Sequence, residues 1–132
     1  MSVQLRTVEA LAPPPGYSHV AVASGGTMVF TAGAVPLDAD GNLVGDGDPL
    51  AQAEQVIGNL LEALGAGGAS PTDVAKTTVY VAGGDYGTQS SVWQVVRTSP
   101  LGRAPSTLVG VPTLGYRGQL VEIEAIALLA DD

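Results

Sequence analysis

The chain has 132 residues, 45% of them apolar, which is material for one domain with a buried core of its own. It contains no cysteine and a single histidine, His19, so disulfides, thiolate chemistry and cysteine or multi-histidine metal sites are excluded. Thirteen acidic residues against five basic ones give a net charge of −8, and the bases, Arg6, Lys76, Arg97, Arg103 and Arg117, are scattered, so no basic stripe is offered to a nucleic acid or an anionic membrane.

The N-terminal "MSVQLRTVEA" has neither the charged start nor the apolar run of an export signal, and no run of about 18 apolar residues is available to span a bilayer. The expectation is a soluble cytoplasmic protein forming one domain over residues 1–132. The Pro-rich "APPPG" at 12–16 and the Gly/Asp-rich "LDADGNLVGDGDP" at 37–49 read as loops. Between them, "SHVAVASGGTMVFTAG" reads as a β-hairpin turning at Ser24, Gly25, Gly26 and Thr27.

From Asp48 the pattern becomes helical, with Asp48 as N-cap and Pro49 at the first position. Leu50, Ala53, Val56, Ile57, Leu60, Leu61 and Leu64 then recur at three- and four-residue spacing until the Gly-rich 65–71 ends the run. Residues 73–83 are β-branched and strand-like. Residues 85–99 predict a second helix interrupted by Gly87, with Tyr86, Trp93 and Val96 on one side, and "STLVGV" and "QLVEIEAIALL" predict two final strands. This order implies an α+β two-layer sandwich, with two helices on one face of a mixed sheet. Val74, Val79 and Val81 in one strand, and Val121, Ile123 and Ile126 in another, place apolar groups on both faces. An uncovered apolar face implies packing on a second copy, hence a homo-oligomer.

In the last strand, alternation sets Leu120, Glu122, Glu124, Ile126 and Leu128 on one face and Val121, Ile123, Ala125, Ala127 and Leu129 on the other. Two carboxylates among aliphatic neighbours are either solvated at an edge or held for use. Trp93 and Tyr80 read as core residues, Lys76 as the partner of an acid on a neighbouring strand, and His19 as structural.

"GYS" at 16–18, "VFTAGAVPLDADGNLVG" at 29–45, "QAEQVIGNLLEALGAGGASPTDVAKTTVYV" at 52–81 and "VEIEAIAL" at 121–128 together closely resemble the Rid (YjgF-type) reactive-intermediate deaminase family. The resemblance implies a chorismate-mutase-like fold with a mixed six-stranded sheet. It also implies a homotrimer whose sheets form an inner barrel and whose small-molecule pockets lie between subunits. For the best-known branch it implies hydrolysis of enamines and imines such as 2-aminoacrylate to an oxo acid and ammonia, with no metal or organic cofactor.

By position in "VEIEAIA", Glu122 matches the family's water-positioning glutamate and lies beside Thr107 in the implied pocket, with Glu124 serving the fold. Tyr17 matches the tyrosine of the "GPYS" block, Gly33 the pocket glycine, Ser90 falls near the family's second-helix asparagine, and Thr107 stands where a cysteine or threonine lines the pocket. Pro105 occupies the place of the arginine that pairs with the substrate carboxylate, a bidentate charge-assisted contact. Losing such a pair costs about 1.5 to 3 kcal/mol of binding to a carboxylated substrate. Arg103, two residues earlier, and Arg117, in a loop about two residues longer than that of arginine-bearing members, are the candidates to replace it. Two readings follow from the resemblance: an imine or enamine hydrolase of non-standard specificity, or a trimer that binds a small ligand without turnover.

Overall fold

The computed structural model describes residues 3–131. In chain order the elements are β1 (Val3–Arg6), β2 (Val20–Ala23), β3 (Gly26–Phe30), α1 (Pro49–Ala66), a 3₁₀ turn (Pro71–Asp73), β4 (Val74–Ala82), α2 (Tyr86–Arg97), β5 (Ser106–Val111) and β6 (Val121–Ala130). The α+β class, the mixed sheet and the two helices are those the sequence implies.

Helix α1 begins as its residues dictate. The Asp48 side chain accepts from the backbone N–H of Leu50 at 3.2 Å and of Ala51 at 3.1 Å, and Pro49 needs no partner for its nitrogen. Ala53, Val56, Ile57, Leu60 and Leu64 are buried, whereas Leu50 is exposed because it precedes the first turn that meets the sheet. In α2, Asp85 caps the first turn by accepting from Gly87 N–H, so that glycine sits inside the cap and does not interrupt the helix. Val92 and Val96 face the core, and Tyr86, expected on that side, is 84% exposed.

The helices cover one face of a four-stranded sheet ordered β3-β6-β4-β5. β4 and β5 are parallel, which requires a crossover, and α2 is that crossover; the other two pairings are antiparallel. Beneath the helices lie Val79, Val81, Val121, Ile123, Ala125 and Ala127, all buried.

Two features differ from expectation. The six strands divide into the four-stranded sheet and a β1–β2 ribbon, and β2 and β3 form no hairpin: β2 pairs with β1, and β3 with β6. Gly25, at φ +67°, turns the chain between the two, and a Cβ on Gly26 would strike the Leu129 carbonyl, so the glycine pair marks a corner between sheets. The ribbon spans the end of the sheet. Ser18 N–H donates to the Arg103 carbonyl at 3.0 Å near the start of β5, and Asp131 N–H donates to the Gly25 carbonyl at 3.4 Å where β6 ends.

The second difference lies in β4, whose register shifts between Val74 and Lys76. The extra residue, Ala75, reverses the alternation, so Val74 faces the core with Thr77, Val79 and Val81. Val74 therefore does not contribute to the open face. That face owes its apolar character to β3 and β6, through Met28, Phe30 and Ile126.

Candidate functional site

The open face of the sheet carries the polar residues. In β6 the core-facing residues are buried and Glu122, Glu124 and Ile126 are half-buried, as alternation demands. Register sets Glu122 opposite Tyr80 and Glu124 opposite Thr78, with Thr78 in turn opposite Thr107. Tyr80 is thus not a core residue: its hydroxyl donates to Glu124 Oε1 at 2.8 Å. That bond, then burial, then the charges of Glu124 and Glu122, raise the phenol above its ordinary ionisation range. Among the described residues Lys76 forms no ion pair with an acid and instead donates to Thr107 Oγ1 at 2.7 Å.

Glu122 is held differently. Gln119 Nε2 donates to its Oε1 at 3.1 Å. Its other oxygen lies over Gly33, where any Cβ would collide with the carboxylate. The neighbouring backbone explains the approach, since Ala34 N–H donates to the Ile123 carbonyl at 2.7 Å and Ile123 N–H to the Ala34 carbonyl at 3.3 Å, fastening residues 33–34 against β6. Of the site residues the sequence singles out, Glu122 and Gly33 are thus brought together. Thr107 does not lie beside Glu122, because β4 intervenes between their strands.

Tyr17 and Ser90 form a second group around Trp93. The Tyr17 ring meets the Trp93 ring edge-on at 5.9 Å, and Trp93 Nε1 donates to the Pro15 carbonyl at 2.6 Å, so Trp93 joins the N-terminal segment to α2 as well as flanking the core. Ser90 lines a shallow hollow with Pro15, Trp93 and Leu108. His19 is structural, accepting from Val8 N–H at 2.9 Å through Nδ1. Pro105 precedes β5, its carbonyl accepting from Thr77 N–H at 3.0 Å.

The two arginines part company. Arg103 lines a cavity of about 420 Å³ with Val3, Leu5, Pro71 and Val74, under the β1–β2 ribbon. Arg117 lines a hollow of about 370 Å³ with Gly83, Pro112, Tyr116 and Gln119, and so shares a wall with the residue that touches Glu122. Among the described residues no ion pair or hydrogen bond joins either arginine to Glu122.

Gln119 and Gln52, both buried, carry no signal in the sequence beyond their being amides near apolar runs. Chemically, Glu122 offers one oxygen tethered by Gln119 and one that accepts no hydrogen bond among the described residues, a carboxylate suited to orienting a water or accepting a proton. Among the described residues no group of three or more His, Cys, Asp or Glu is gathered to hold a metal ion, and no helix is long and apolar enough to cross a membrane.

Comparison with known proteins adds the family. The family model described as Endoribonuclease L-PSP matches residues 7–129. The protein DfrA of Myxococcus xanthus is 34% identical over 85% of this chain and 84% of its own length. The 2-iminobutanoate/2-iminopropanoate deaminase of Mus musculus is 34% identical over 76% of this chain and 73% of its own. Among solved structures, the Rid-family protein YyfB of Yersinia pestis superposes with a TM-score of 0.87 at 34% identity, covering 98% of this chain and all (100%) of that one. With its fold and these matches in agreement, the chain belongs to the Rid (YjgF-type) family, the family described as Endoribonuclease L-PSP.

Proposed function

We propose that the protein is a hydrolase of small imines or enamines that lack the usual carboxylate handle, acting as a homotrimer without metal or organic cofactor. The observation that carries this reading is Glu122, fixed at Oε1 by Gln119 and leaving its other oxygen over the space that Gly33 keeps clear. The 2-iminobutanoate/2-iminopropanoate deaminase names of relatives from mouse and human support the reaction class.

In that reaction Glu122 orients a water whose oxygen bonds to the imine carbon as the C=N π pair moves to nitrogen, which takes up a proton. The resulting amino alcohol loses its hydroxyl proton and expels ammonia, leaving the carbonyl product. Tyr17, Ser90, Thr107 and Arg117 complete the pocket between neighbouring copies. Pro105 supplies no charge where a carboxylate clamp would stand, and Glu122 and Glu124 repel an anion. Neutral or cationic imines are therefore the preferred substrates.

The test generates imines in place with an amino-acid or amine oxidase and follows their capture by semicarbazide, using wild type, Glu122→Gln and Pro105→Arg. Faster loss of imine with wild type, strongly reduced but still measurable in Glu122→Gln and greatest for uncharged imines, is the expected result. Wild type inert on every imine, with Pro105→Arg gaining activity on 2-iminopropanoate, overturns it in favour of a ligand-binding trimer, the reading that Pro105 itself favours.

A further inference from the structure

We infer that Gln119 is the positioning residue for Glu122, through which the loop between β5 and β6 sets the direction of that carboxylate. The inference rests on the reading of Glu122 as the water-orienting group. Gln119 is 3% exposed, a costly place for a primary amide unless both its ends are bonded. Its Oε1 accepts from Tyr116 N–H at 3.1 Å, while Nε2 donates to the Val121 carbonyl at 3.1 Å and to Glu122 Oε1 at 3.1 Å. Because a backbone N–H can only donate, Oε1 must face Tyr116, and the amide cannot be turned end for end. The nitrogen is thereby committed to Glu122, in a charge-assisted bond.

The main chain of Gln119 is fixed in turn by a second buried amide. Gln52, fully buried on α1, donates from Nε2 to the Gly118 carbonyl at 3.0 Å and accepts at Oε1 from Leu120 N–H at 2.7 Å, one residue to either side. A bonded path therefore runs from α1 through the loop to the carboxylate. Gln119 occupies one carboxylate oxygen so that the other is left for water. Tyr116 and Arg117, which wall the adjoining hollow, belong to the same turn.

The experiment compares wild type, Gln119→Leu, Glu122→Gln and the double variant on the fastest imine substrate. Gln119→Leu is expected to lower kcat about ten- to hundredfold, the scale of a misplaced catalytic group, with KM nearly unchanged. It is expected to cause no further loss in the Glu122→Gln background. A full loss in that background, or a change in KM alone, overturns the inference. In parallel, the Gln119 side-chain amide resonance is followed in ¹H–¹⁵N spectra, which need no turnover. It is expected to shift when Glu122 becomes Gln, and an unmoved resonance overturns the inference even if Gln119→Leu fails to fold. Wild type without activity but with that shift sinks the imine-hydrolase reading alone and leaves the positioning role standing.

Discussion

At the scale of single residues, the open face holds two glutamates with unlike partners: Glu122 accepts from a neutral amide, Glu124 from a phenol. The second pairing has a pH signature. Tyr80 donates to a carboxylate and lies near two, so its protonated form is favoured and its ionisation is raised above the ordinary value of 10.0. Stability from this bond is complete below the unfolded-state value and is lost as pH climbs through the higher folded-state value. Absorbance titration near 295 nm should therefore show one of the four tyrosines ionising late. That component should vanish in Tyr80→Phe and move back toward the others in Glu124→Gln; four tyrosines titrating together would remove the claim. The two glutamates are legible in the sequence because a strand alternates with period two, whatever surrounds it. Gln119 is not, because its aim depends on a loop held by Gln52, 67 positions earlier in the chain. Tyr80 and Lys76 misled for a related reason: alternation identifies the two faces of a strand, and which one is covered is decided by the helices.

At the scale of elements, legibility follows how local the determining contacts are. Helix α1 can be read from Asp48 and Pro49 through most of its apolar stripe, the exposed Leu50 excepted, since capping and periodicity act within a few turns. Replacing Asp48 by Ala removes both acceptor bonds at that terminus and should cost about 1 kcal/mol, read from urea unfolding with an unchanged m-value. An effect below a few tenths would show that solvent satisfies those N–H groups equally well. The β2–β3 hairpin fails as a reading because strand partners are chosen by non-local competition. β3 pairs along its whole length with β6, one of the two inner strands, and the intervening glycines serve a corner. The bulge at Ala75 is equally hidden, as nothing in "DVAKTTV" announces an extra residue.

At the scale of the whole molecule, one face of the sheet is sealed by helices and the other is open along β3, where Met28 is 57% and Phe30 66% exposed. Contiguous exposed apolar surface of this kind marks an interaction site. Sedimentation equilibrium should give three times the chain mass, and Phe30→Glu should shift the population toward monomer with the secondary structure intact. A monomeric wild type would remove both the trimer and the pockets proposed between its copies.

The bulge in β4 has a bearing on how such a chain tolerates change. Upstream and downstream of Ala75 the strand is out of phase by half a pleat, so Val74 keeps to the apolar side while Lys76, Thr78 and Tyr80 keep to the polar one. The length of this stretch is thereby governed by parity rather than by distance. Removing Ala75 alone restores plain alternation, with Val74 still inward and Lys76 still outward. Removing Ala75 and Lys76 together sets Val74 directly before Thr77, and one of the two must then leave the core side.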